Sequence, residues 1–150
     1  MPVSLKCQYA LRALFALAKK EGEGMLRINE IAEEQDIPPR YLENICNQLR
    51  QGGFVEGKRG KDGGFVLSRR ARDIRIGDII RFIEGPIHPT NCATGKSGKV
   101  VCRFRGSCIF IHLWDKAEEA LKSVYDNITL MDLVEDDKRL SRQRISDYSI

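Results

Sequence analysis

Residues 28–67 read INEIAEEQDIPPRYLENICNQLRQGGFVEGKRGKDGGFVL, and the order of starts and stops in this stretch decides the fold. Asn29 is a good helix N-cap, and Ile31 and Ala32 give one apolar turn after it. The run breaks at Asp36-Ile37-Pro38-Pro39, because two prolines cannot continue a helix interior, although Pro39 is tolerated in the first turn of the next helix. From Arg40 the helical spacing resumes, with Tyr41, Leu42, Ile45, Cys46 and Leu49 on one face. Gly52-Gly53 supplies a left-handed C-terminal stop. Phe54-Val55 and Phe65-Val66-Leu67 then read as short strands around the tip Glu56 to Gly64. Glycines 57, 60, 63 and 64 permit a tight hairpin there, and Lys58, Arg59 and Lys61 load it with positive charge. Helix, short turn, helix and basic hairpin predict a winged helix-turn-helix.

The placement of charge makes the case for nucleic acid. A second helix that exposes Arg40, Glu43, Asn44, Gln48 and Arg50 opposite its apolar face carries groups that read base edges in a major groove. Basic side chains of the wing can neutralise phosphates or enter a minor groove. A lysine-rich hairpin alone is more often an edge that discourages aggregation; paired with this helix spacing, DNA binding is the stronger reading. Net charge is +4, and residues 1–75 hold 14 Lys/Arg against 10 Asp/Glu, whereas residues 76–150 hold 11 of each. The whole excess lies in the half with the helix-turn-helix, as an electrostatic footprint requires.

The chain of 150 residues, 42% hydrophobic, suits one domain with an appendage and has enough apolar content for a core. No apolar run approaches the roughly 20 residues needed to span a bilayer, and the N-terminus has no secretory signal. A cytoplasmic protein without a membrane partner is expected, and its five cysteines then read as thiols or metal ligands rather than structural disulfides. Enzyme chemistry has little support. There is no nucleophile–base constellation, and Gly-Lys-Asp-Gly-Gly sits in a hairpin rather than between a strand and a helix, so it is no phosphate loop.

Around this centre, Ser4 caps a first helix of roughly sixteen residues. Its broad apolar face comprises Leu5, Tyr9, Ala10, Ala13, Leu14, Ala16 and Leu17. Ile76, Ile79, Ile80 and Ile83 predict a core helix that stops at Glu84-Gly85-Pro86. From His88 to Gly106 periodicity disappears, and a loop of that length in a small protein is usually functional or disordered. The segment brings Cys92, Cys102 and Cys108 together, with nine and five residues between them. Several thiolates on one loop can wrap a soft centre such as zinc or an iron–sulfur cluster. His112 lies four residues after Cys108 and offers a nitrogen ligand, although a lone histidine beside Trp114 is more often a packing or surface residue.

From Ile109 a further helix is predicted, with Leu113, Ala117, Ala120, Leu121 and Val124 along one face. Such a face needs a partner. The same helix of a second subunit is the natural one, and packing back onto its own chain is the alternative. Thr129 caps a short turn, Leu130 to Val134, and the polar remainder is expected to fray. The predicted organisation is a DNA-binding domain over 1–86, a cysteine-containing sensor loop over 87–108, a dimerisation helix with a short terminal helix over 109–135, and a disordered tail over 136–150. The fold class is mainly α with a small β-hairpin wing.

Several separate stretches, in order over residues 3–134, resemble the Rrf-type winged-helix transcriptional regulators. They are Tyr9-Ala10-Leu11-Arg12, Tyr41-Leu42-Glu43, Arg59-Gly60 with Gly63-Gly64-Phe65, Gly77-Asp78-Ile79-Ile80 with Glu84-Gly85-Pro86, the three loop cysteines, Leu113-Trp114 and Thr129-Leu130. The resemblance implies a homodimer on a two-fold-symmetric double-stranded operator, acting as a repressor, with Glu43 near bases and Arg59 in the minor groove. Arg40, Tyr41, Asn44, Lys58 and Lys61 complete the candidate DNA-binding set. It also implies that Cys92, Cys102 and Cys108 hold an iron–sulfur cluster, 2Fe–2S or 4Fe–4S, that senses iron–sulfur, redox or nitric-oxide status. His112 is the first candidate for the fourth ligand and Cys7 the second. The chain departs from the family in placing nine rather than five residues between its first two loop cysteines, and in carrying Gln8 where some members use an aspartate. Two other functions stay open: a DNA-binding regulator with a thiol/disulfide or zinc switch, and an electron-transfer iron–sulfur protein. The charge-loaded hairpin argues against the last.

Overall fold

Ser4 begins the first helix as its chemistry requires, its hydroxyl accepting the Cys7 backbone N–H at 3.2 Å ahead of α1 (Leu5–Lys19). In the computed structural model the described residues are 3–90, 102–104 and 106–147, with side chains through residue 144. Cys92 therefore lies outside the described residues. Helix α1 is the centre of the core. Its Cys7, Ala10, Ala13, Leu14, Ala16 and Leu17 are buried, and the alanines let α2, α3, α4 and α6 approach it closely.

Helix α2 (Ile28–Gln35) starts two residues earlier than the Asn29 cap predicts. Glu30 explains the shift, since its carboxylate accepts the Arg27 backbone N–H at 2.6 Å and satisfies one of the helix's orphan donors. Asp36 turns out of α2 at φ 50°, and α3 (Pro39–Gln51) follows with Pro39 in its first turn. Leu42, Ile45, Cys46 and Leu49 are buried on its inner face. The left-handed stop is Gly53, at φ 71°.

Strands β1 (Val55–Lys58) and β2 (Gly64–Leu67) form the antiparallel hairpin, paired from Val55↔Leu67 to Lys58↔Gly64. The ladder thus reaches three residues further toward the tip than the apolar pattern suggests. Leu26 adds a bridge to Phe65, a third strand position that no local signal marks. After a 3-10 turn at Ala71–Asp73, α4 (Ile76–Glu84) buries Ile76, Ile79 and Ile80. Ser4 closes the end of α4 onto the start of α1, donating its backbone N–H to Glu84 Oε1 at 3.0 Å.

Helix α5 (Ile111–Asn127) has no buried residue. Its predicted apolar face is split: Leu121 and Tyr125 pack against the core, whereas Leu113 and Val124 stay 54% and 53% exposed. The ion pair from Arg81 Nη2 to Asp126 Oδ1, 2.7 Å, fastens the C-terminal half of α5 to α4. Gly77 makes room for it, because a β-carbon there would lie 1.9 Å from that same Asp126 oxygen.

Over residues 136–147 the structure shows helix where a disordered tail is expected. Helix α6 runs from Leu130 to Asp147, well past Val134. Leu130 and Val134 are buried, and Thr129 and Asp132 form a capping box. The Thr129 N–H donates to the carboxylate at 2.7 Å, and the Asp132 N–H to the hydroxyl at 3.2 Å. Once that first turn is nucleated, each further residue adds one hydrogen bond, and an Asp136–Arg139 pair at 2.8 Å supports the exposed part.

Candidate nucleic-acid interface and cysteine segment

The outward face of α3 carries Arg40, Tyr41, Glu43, Asn44, Asn47 and Arg50, all exposed. Asn47 belongs to this set although its sequence reading overlooked it. It lies one turn beyond Glu43 and three residues beyond Asn44, which was the available signal. Tyr41 has two environments. Its ring packs edge-on against Tyr9 with centroids 5.7 Å apart, yet 42% of the residue is exposed, so α1 orients a phenol that still faces solvent. Lys58, Arg59 and Lys61 are exposed at the wing tip. That tip, residues 59–63, is closed by the Gly63 N–H on the Gly60 carbonyl at 3.0 Å.

Glycine is required at position 63 by proximity: a β-carbon would lie 2.2 Å from the Lys58 carbonyl oxygen and 2.9 Å from that of Gly60. Gly63→Ala is therefore expected to open the tip, lowering local wing stability by about 1–3 kcal/mol. Faster amide hydrogen exchange across Val55–Lys58, with protection of α1 unchanged, is the measurement that checks it.

Cys102 and Cys108 are half-buried, and Cys108 sits in the turn that opens α5, its carbonyl accepting the Ile111 N–H at 3.3 Å. The other end of the segment is tied to the same helix: His88 Nδ1 meets Glu118 Oε2 at 2.6 Å. Glu118 is also paired with Lys122, and these two bonds, that from Lys122 first, hold its carboxyl below the usual range. His112 is exposed on the first turn of α5. Cys7 is a different case. It is fully buried, and burial, with Glu84 adding to it, pushes its thiol up to about 11. A protonated thiol at this place packs as part of the core. Cys46, pushed up to about 12 by burial, is another core thiol. Among the described residues no helix is long and apolar enough to cross a membrane.

Comparison with known proteins agrees with this architecture. The family model described as "Rrf2: Iron-dependent Transcriptional regulator" matches residues 3–136. The chain is 36% identical over 133 residues to the HTH-type transcriptional regulator CymR of Bacillus subtilis (strain 168), covering 89% of both proteins. It is 32% identical over 134 residues to the HTH-type transcriptional regulator IscR of Serratia proteamaculans (strain 568), covering 89% of this chain and 79% of that one. Among solved structures, CymR (YrzC), titled the global cysteine regulator of B. subtilis, superposes with a TM-score of 0.75 at 35% identity, covering 90% of this chain and 97% of that one. The IscR of T. potens gives a TM-score of 0.72 at 35% identity, over 91% and 88%. The fold is thus shared along nearly the whole chain with transcriptional regulators, and the chain belongs to the Rrf2 family of DNA-binding transcriptional regulators.

Proposed function

We propose that this regulator is a cytoplasmic homodimeric repressor whose segment 87–108 senses iron–sulfur, redox or nitric-oxide status. The observation that carries the reading is that both ends of the three-cysteine segment are fastened to α5: His88 through Glu118 at one end and Cys108 through Ile111 at the other. A change in the segment therefore acts on a helix that leaves Leu113 and Val124 more than half exposed. Cys92, Cys102 and Cys108 would hold the cluster, with His112 as fourth ligand. Three thiols and an imidazole suit iron–sulfur ligation, and two of these thiols are half-buried rather than locked in the core. When bound, the cluster would supply iron that reacts with oxidants and nitric oxide. The family's description as iron-dependent regulators and the IscR relatives support this reading.

A second reading has its own support. The similarity to CymR, a protein titled as a cysteine regulator, favours a thiol/disulfide or zinc switch on the same segment, answering a sulfur-linked signal. The anaerobic visible spectrum of the purified protein, with iron and sulfide assays, separates the two. Absorbance from a cluster with stoichiometric iron and sulfide supports the first. A colourless protein free of iron and sulfide that still binds DNA supports the second.

On the DNA side, α3 is proposed to enter a major groove and Arg59 a minor groove of a two-fold-symmetric operator. Arg59→Ala should weaken binding to many sequences about equally and reduce the salt dependence by about one unit of slope. Glu43→Ala should instead relax discrimination at one base position, by roughly 1–3 kcal/mol if the carboxylate accepts from a cytosine amine. Salt titrations and single-base operator variants measure the two effects. Unchanged affinity and discrimination in both variants would reject this docking.

A further inference from the structure

The wing is attached to the helix-turn-helix by the three residues that precede α2. Opposite Gly57, in the last ladder pair but one before the tip, Leu26 and Phe65 exchange backbone hydrogen bonds, N–H to carbonyl at 3.0 Å one way and 2.8 Å the other. One residue later, Arg27 Nη2 donates to the Lys61 carbonyl at 2.7 Å, across 34 positions of sequence. Lys61 is the middle residue of the tip, two positions from Arg59. Arg27 is itself fixed, because its backbone N–H is held by Glu30 in the first turn of α2.

We propose that Arg27 is a positioning residue for DNA binding, a tether that sets the wing tip relative to the helix-turn-helix and so aims Arg59. The inference rests on the reading of Arg59 as a DNA contact. Its physical basis is preorganisation. A hairpin with glycine at 57, 60, 63 and 64 has wide conformational freedom, and any of it lost on DNA subtracts from affinity. Leu26 fixes the hairpin only as far as Phe65, so an anchor beyond the last ladder pair is what removes the freedom left in residues 59–63.

A double-mutant cycle tests this, with a duplex selected from random sequence for binding by the wild-type protein as the probe. Arg27→Ala should weaken binding about three- to tenfold, the range of one net hydrogen bond, and should have almost no effect when made in Arg59→Ala. NMR relaxation of Arg27→Ala should show increased motion at Gly60 to Asp62, with α3 amides unchanged. An equal loss with and without Arg59 would make Arg27 an independent phosphate contact and overturn the proposal. Full affinity in Arg27→Ala, beside a weakened Arg59→Ala, would also overturn it while leaving the wing's role intact. If Arg59→Ala alone had no effect, the reading of the wing as a DNA contact would fail and the tether with it.

Discussion

Replacing Leu113 and Val124 together with glutamate is expected to convert the protein to a monomer and to weaken operator binding by about 10²–10⁴-fold, the loss that follows when two linked half-sites become independent. Both residues lie on the outward stripe of α5, eleven positions apart, and more than half of each is exposed in the monomer. Charge placed there costs the free chain little, since surface substitutions away from packed features usually stay within about 0.5 kcal/mol. In a helix–helix seam the same glutamates would be buried without partners, which is strongly unfavourable. Sedimentation velocity should therefore show a monomer, with an unchanged far-UV circular dichroism spectrum at 25 °C showing that each subunit stays folded. Leu121→Glu provides the contrast. Leu121 packs against its own core, so that variant should lose thermal stability before it loses its partner. A double variant that stays dimeric would remove this stripe of α5 from the interface.

The second large effect belongs to the cysteine segment. Cys102→Ala is expected to abolish the cluster's visible absorbance and bound sulfide while leaving a folded dimer, because Cys102 is half-buried and outside the core that organises the domain. Its operator affinity should equal that of cluster-free wild type and differ from that of the loaded form. The physical requirement is differential: ligation alters DNA binding only if it favours one arrangement of the two recognition helices over another. In the proposed dimer those helices must meet grooves about one DNA turn apart, and contacts of His88 and Cys108 with α5 would link ligation to their separation. Anaerobic titrations of loaded, cluster-free and Cys102→Ala protein measure it. Three equal affinities would show that the segment does not control DNA binding.

Local signals made most of the DNA-binding unit legible in the sequence. Ser4, the Pro38-Pro39 break and Gly52-Gly53 act within a turn of where they sit, so α1, α3 and the approach to the wing appear where their residues place them. The isoleucine stripe of α4 was equally plain, because a core helix repeats one face. What the sequence determined alone was therefore the helix-turn-helix, the wing and most of the exposed side chains of α3. Helix α6 was not legible, since a polar, charge-rich run signals neither helix nor tail until Leu130 and Val134 are anchored and the Thr129–Asp132 cap nucleates it. Only the tertiary structure decided how α5 uses its apolar residues. Leu121 and Val124 are three positions apart on one stripe, and the placement of α4 turns the first inward and leaves the second in solvent. It also decided that Cys7 is a core residue, because burial belongs to the surroundings and not to the residue. The tether from Arg27 to Lys61 is the plainest case: its two ends are distant in the chain, and no periodicity or spacing records which backbone a guanidinium will meet.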